Sequence, residues 1–441
     1  MYPALLHVCI VRAVSEEIDK TFNHTILNKA ELLYMHERIH AQEGIVRRSL
    51  ELSPQRQAAL ENIERRLVNA HEVAFRDIET INEQEGIGRF LYQGDIVLKK
   101  WQLDELVGND DERHRWKRQA FRDHNYPFTI WPDGVVYYSF HSNTSDKVRE
   151  VFAKGVWEWQ RHTCLNFSES YTVEGRIEVV ADTGCWSYVG KLHGVQELSL
   201  GAKCQMVNFS NEDSTGCTQV GIATHEIGHA LGFLHTHSRH DRDQYIMFDL
   251  DAVEPSLVEQ FNKEPASRNH NYGIPYDYGS VMHYNSRCAA KDNSAMGDRT
   301  MVPLTAAYVD TLGSHFLSFY EKLMMNIHYN CLGRCISSDS PAKCEMGGFP
   351  NPRNCTKCVC PSGYGGRLCN RRPKGCGRIL QALTQERTFV DRVGHEGVTD
   401  FEQMVDFEKC YYWIKAPKGR KIEIKTQKDQ RATGYRRDRN T

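Results

Sequence analysis

Between residues 15 and 90 apolar positions are sparse and set among arginine and glutamate, and where they recur, as at Ala58, Leu60, Ile63 and Leu67, the spacing predicts helix. A charged helix with so narrow an apolar stripe needs another body to pack against. From Tyr126 the texture changes. Residues 134–140 read as a strand, 146–162 as an amphipathic helix, 177–180 as a second strand and 218–231 as another helix, which together predict an α+β domain. Beyond Cys331 the cysteines close up, at 335, 344, 355, 358, 360 and 369, in a Gly/Pro-rich stretch too short to build a core, so disulfides must hold it. Residues 376–441 then carry Cys410-Tyr411-Tyr412-Trp413 and a polar, basic end.

A chain of 441 residues suits one large domain with smaller modules. Its 55 Lys and Arg balance 57 Asp and Glu, which leaves no basic field for nucleic acid. No stretch approaches the roughly 20 apolar residues of a membrane span. Met1 to Val14 form a short, weak signal segment. Of the 15 cysteines all but Cys9 fall at Cys164 or later, an even remainder that an oxidising compartment can pair completely. Sequons at Asn23, Asn143, Asn166, Asn208 and Asn354 agree with a secreted, extracellular glycoprotein. The cluster Arg115-Trp116-Lys117-Arg118 separates the cysteine-free region from the cysteine-rich one and suits a furin-like convertase cutting after Arg118.

His225 and His229 stand at i and i+4 of the 218–231 helix, so both imidazoles face one point where a metal ion can sit. Glu226, about 100° further round, is placed for a bound water rather than for the metal itself, the position of a general base. Gly232 offers a left-handed end to the helix, and the returning chain brings His235 up as a third ligand. Three histidines with an open fourth position form a catalytic zinc site, one Zn2+ per subunit, whereas structural zinc is closed by four ligands. His237, His240 and His283 lie close in sequence, but nothing in their spacing puts them on the metal.

The run His225 to His235, continued by Arg239, Asp241, Arg242 and Asp243, resembles the astacin family of metzincins. Ser280-Val281-Met282-His283-Tyr284 is similar to that family's Met-turn. The resemblance implies a two-subdomain zinc metalloendopeptidase, of the nematode type, acting on extracellular proteins. In it Met282 forms an apolar floor under zinc and Tyr284 swings from the metal to the tetrahedral oxyanion. Tyr92-Gln93-Gly94-Asp95 resembles the family's propeptide motif, which makes Asp95 the zinc ligand of a latent zymogen; standing alone, Gly94-Asp95 reads as a turn. The implied organisation is a signal segment and helical propeptide over 1–118, a catalytic domain over 119–331, an EGF-like module over 332–370 and a partial CUB β-sandwich over 376–441. The family pattern implies Cys164 with Cys331 and Cys185 with Cys217, leaving Cys204 with Cys288 as the remainder. The tail modules imply 335–355, 344–358, 360–369 and Cys376 with Cys410, although sequence alone leaves the connectivity of the six clustered cysteines open. Thr236 departs from the family, which carries Glu there to pair with the mature amino terminus. The competing reading is an inactive protease serving as an extracellular binding protein through its tail modules; the intact Glu226 argues against it.

Overall fold

The computed structural model describes residues 14, 18–19, 25–67, 78–107, 120–121, 127–205, 219–291, 298–391, 393 and 409–425. Arg115 to Arg118, Cys9 and Cys217 lie outside them, as do Asn23 and Asn208.

Seven short strands order the first half: β1 Ile96–Val97, β2 Ala120–Phe121, β3 Val135–Phe140, β4 Asn166–Glu169, β5 Arg176–Val180, β6 Cys185–Tyr188 and β7 Val195–Leu200. Six of them make one sheet in the order β1-β6-β7-β5-β3-β4. β3, β4, β5 and β7 run parallel to one another, and β6 is antiparallel to β7. β1 adds to the outer edge of β6 in parallel, with Ile96 opposite Ser187 and Val97 opposite Tyr188. An edge that would otherwise show unpaired N–H and C=O groups is thereby filled.

Helices Asp146–Gln160 and Gln219–Ala230 pack on this sheet and bury Phe152, Trp159, Ala223 and Ile227 against Ile177, Val179 and Leu198. They cross where Gly155 has no side chain; a Cβ there would come within 3.1 Å of Ile227 Cδ1 and 3.2 Å of Ala223. Ser145 caps the first helix by accepting from Val148 N–H. Beyond Leu234 come short turns, an antiparallel pair of β8 Ile246–Phe248 with β10 Met301–Pro303, β9 Asn269–His270 paired with β2, and the helix Phe319–His328, which buries Met324 and Met325 in the same core.

The amino-terminal helices Lys29–His40, Glu43–Leu50 and Pro54–Leu67 each bury their apolar stripe on this body. Leu32, Met35 and Ile39 meet Phe90 and Trp186; Val46 and Leu50 meet Leu257, Phe261 and Tyr284; Leu60 and Ile63 meet Met247 and Val302. Ala58 is exposed, unlike Leu60 and Ile63, because it lies about 200° round the helix from Leu60.

Six disulfides form among the described residues. Cys164–Cys331, Cys335–Cys355, Cys344–Cys358, Cys360–Cys369 and Cys376–Cys410 have the expected partners. Two pairings are corrected. Cys185 joins Cys204, not Cys217, because the antiparallel register of β6 on β7 sets Cys185 opposite Leu200 and the next turn returns Cys204 to a Cα separation of 6.0 Å. Cys288 therefore does not join Cys204; it is buried in a different core, with Phe248, Phe261 and Tyr284, and takes part in none of the six disulfides. In the tail β11 Phe349–Asn351 pairs with β12 Asn354–Val359, and β13 Ile379–Gln381 with β14 Trp413–Lys415. No helix among the described residues is long and apolar enough to cross a membrane.

Candidate metal centre

The helix Gln219–Ala230 presents His225 and His229 one turn apart, and Gly232, at φ 102°, ends it. Its last carbonyls are all met: Trp131 Nε1 donates to Ala230 O, Tyr329 Oη to Leu231 O, Gly190 N to His229 O and Phe121 N to Gly232 O. A helix end buried in this way needs such partners. The chain returns in extended conformation at His235, bringing the third imidazole to the first two, with ring centroids 4.7, 4.8 and 5.2 Å apart.

The far nitrogen of each ring decides what the near one does. His225 Nδ1 lies 2.6 Å from Val281 O, His229 Nδ1 2.7 Å from Phe233 O, and His235 Nδ1 2.9 Å from Gln93 Oε1. Each Nδ1 therefore carries the proton, and three Nε2 lone pairs converge on one point. Asp95 comes to the same point: its Oδ2 is 3.2 Å from His225 Nε2 and 3.1 Å from His235 Nε2, and its Oδ1 is 3.5 Å from His229 Nε2. Neither Asp95 Oδ1 nor His229 Nε2 has a hydrogen-bond partner among the described residues. A buried carboxylate against three lone pairs requires a cation between them, and three imidazoles with one carboxylate are a donor set that fits Zn2+. Burial and neighbouring imidazoles push the His235 ring down to about 3, while Asp95's charge opposes this. Burial disfavours an ionised Asp95, yet His235 and His229 hold its carboxyl well below the usual range.

Asp95 is aimed by a tight turn. Tyr92 and Ile96 exchange both backbone hydrogen bonds, at 2.9 and 3.0 Å, and Gln93 and Gly94 between them have φ of 48° and 80°. Gly94 is required twice over, since a Cβ there would also stand 3.0 Å from Tyr284 Oη. Gly94-Asp95 is thus a turn that carries a carboxylate into a group able to hold a metal ion. Asn82 braces it from below, donating to Gly94 O at 2.9 Å.

Glu226 is fully buried, and neither carboxylate oxygen has a hydrogen-bond partner among the described residues. Burial, then the negative charge of Asp95, raises its pKa well above the ordinary value. The Tyr284 hydroxyl donates to Gln93 O, and its ring stacks on His237 at 4.0 Å. Met282 lies under the helix; a Cβ on Gly228 would approach its Sδ to 2.8 Å, so that glycine makes room for it. His237 and His283 are buried beside the centre but outside the ligand group, and His240 bonds Asn271. Arg239 grips Asp241 with two bonds of 2.8 Å and donates to the carbonyls of Ile274 and Pro275, which fixes the chain leaving His235.

Three contributors escaped the sequence reading. Gln93, which stands at the variable position of the Tyr92–Asp95 motif, links His235 to Glu264, and Asn82, outside any motif, joins two separated segments. Glu321 does have a local signal, the Ser318-x-x-Glu321 capping box. Its Oε1 accepts from Ser280 Oγ at 2.5 Å and from Met282 N at 3.2 Å, while Thr236 Oγ1 donates to Ser280 Oγ at 2.9 Å. A carboxylate thus lies two hydrogen bonds from Thr236. Burial and Asp277 push Glu321 up to about 7.

Residues 123–330 match the family model described as Astacin, a peptidase family. Zinc metalloproteinase nas-31 of Caenorhabditis elegans is 42% identical over 384 residues, which span 81% of this chain and 59% of that protein, so the chain covers only part of that longer relative. Zinc metalloproteinase nas-17 of the same organism is 32% identical over 350 residues, spanning 79% of this chain and 73% of that protein. Among solved structures, high choriolytic enzyme 1, a hatching enzyme zinc-protease of Oryzias latipes, matches 50% of this chain and 96% of its own at 27% identity, with a TM-score of 0.39.

Proposed function

The chain belongs to the astacin family of peptidases, and we propose that it is a secreted zinc metalloendopeptidase made as a zymogen, hydrolysing peptide bonds in extracellular proteins. The observation that carries this reading is Glu226, a fully buried carboxyl with no hydrogen-bond partner among the described residues, beside three convergent imidazoles. A structural site has no use for such a group. His225, His229 and His235 would hold Zn2+, which when bound would supply a Lewis acid for a peptide carbonyl and lower the pKa of water to about 7.

Glu226 takes the proton from water and delivers it to the departing amine. Its raised pKa in the closed chain comes from burial and from Asp95, so removing Asp95 and admitting water favour the ionised form a base needs. Tyr284 now donates to Gln93 O; with that segment gone its O–H is the donor available to a developing oxyanion. Latency follows from Asp95 filling the ligand position and from β1 filling the edge of β6, and a furin-like convertase opening the chain after Arg118 relieves both. Six disulfides support an oxidising, extracellular setting. Residues 332–370 are read as an EGF-like module and 376–441 as a partial CUB domain.

The test is the full chain, cut after Arg118 and assayed on quenched peptides with and without a zinc chelator. Chelator-sensitive cleavage, lost in Glu226→Gln with zinc content unchanged, is expected. A zinc-loaded, cut chain that cleaves nothing defeats the reading.

A further inference from the structure

Glu264 lies between the turn Pro255–Phe261 and β9, and its backbone N–H donates to Ser238 O at 2.8 Å. Its position is thereby tied to the chain that leaves His235. The residue is 1% exposed. Its Oε1 accepts from the Tyr92 hydroxyl at 2.6 Å and from Gln93 Nε2 at 3.1 Å, and Oε2 has no hydrogen-bond partner among the described residues. Asn262 Nδ2 supports the arrangement by donating to Tyr92 Oη at 3.4 Å.

Both donors come from the segment that carries Asp95. When that segment leaves, Glu264 keeps its place and loses both, and a carboxylate in a desolvated pocket is costly until a donor replaces them. The pocket also adjoins the metal centre, since the other end of the Gln93 amide accepts from His235 Nδ1 at 2.9 Å. Resting on the peptidase reading above, we propose that Glu264 is the polar floor of a substrate subsite. It takes an uncharged side chain ending in a hydrogen-bond donor, tyrosine first and glutamine second, from a residue flanking the scissile bond. Tyr92 and Gln93 are the stand-ins for that side chain.

Two measurements decide it. The full chain, cut after Arg118, is profiled on peptides differing only by Tyr or Phe at each flanking position. At one position Tyr should exceed Phe by about tenfold in kcat/KM, as a hydrogen bond to a charged acceptor provides. That preference should vanish in Glu264→Ala and largely return in Glu264→Gln, which keeps an acceptor. A profile indifferent to Tyr and Phe, or a preference that survives Glu264→Ala, overturns the proposal.

The second measurement needs no turnover. A synthetic peptide of residues 88–99 and its Tyr92→Phe version are titrated into the cut Glu226→Gln chain. The Phe version should bind about tenfold more weakly, and equal affinities overturn the subsite. A Tyr-dependent affinity in a chain whose Glu226 form cleaves nothing removes the peptidase reading and with it the substrate subsite, leaving Glu264 as the seat of the Tyr92 segment alone.

Discussion

Asn82 binds Cys185 as one strand residue binds another: its Oδ1 accepts from Cys185 N at 2.8 Å and its Nδ2 donates to Cys185 O at 2.7 Å. The same Nδ2 reaches Gly94 O, so one buried amide clamps the Asp95 turn to the start of β6. Removing it by Asn82→Ala leaves three backbone groups to find water or stay unpaired. The expected cost is about 2–3 kcal/mol in denaturant unfolding, together with measurable activity in the uncut chain. Unchanged stability and full latency would contradict the clamp.

Asp95→Ala removes the carboxylate from the ligand group but leaves Tyr92, Gln93 and β1 in place. The uncut variant is expected to bind zinc and to show part of the activity of the cut chain, since the remaining contacts still obstruct the cleft. Activity assays before and after convertase treatment measure both. Full latency would remove Asp95 from its assigned role and leave closure to the Tyr92, Gln93 and β1 contacts.

Gly228→Ala inserts a methyl 2.8 Å from Met282 Sδ and 3.3 Å from Trp159 Cζ2, where both neighbours are almost fully buried. Overpacking of this kind costs about 1–3 kcal/mol. Thermal unfolding should report the loss, and weaker zinc retention should accompany it because His229 is the next residue. A neutral effect would mean that Met282 has room to move.

Glu259 supplies a pH dependence away from the metal. Burial first, then Glu43, pushes its carboxyl up to about 7, while Arg47 opposes the shift. An acid with a raised folded pKa binds its proton more tightly when folded, so its relative stability is present below the unfolded value near 4.5 and is lost as pH rises through 7. The loss amounts to at most about 3 kcal/mol. Glu259→Gln should flatten the stability profile across that interval in urea titrations of the full chain; an unaltered slope would show that another group carries it.

What the sequence made legible is what local spacing controls. The helical i,i+4 rule set His225 and His229 on one face, and Gly232 marked the reversal that delivers His235. The strands near 135–140 and 177–180 and the helix from Asp146 came from alternation and periodicity alone. The pairing of Cys185 was illegible because it depends on strand register, which no count of cysteines contains. Gln93, Asn82 and Glu264 were illegible for a related reason: their bonds span 142, 103 and 172 residues, and neither the variable position of a motif nor a lone amide or carboxylate announces its partner.

The pairing of β2 gives a cut near Arg118 its direction. Ala120 and Phe121 are already held, by β9 and by the carbonyl of Gly232, so the downstream body needs no refolding when the chain is severed just before them. What changes is the tether. While the chain is continuous, Asp95 meets the histidines at the high effective concentration of an intramolecular group. Once severed, the same contacts belong to a separate peptide, and their hold weakens with dilution, which makes opening a matter of volume as well as of chemistry.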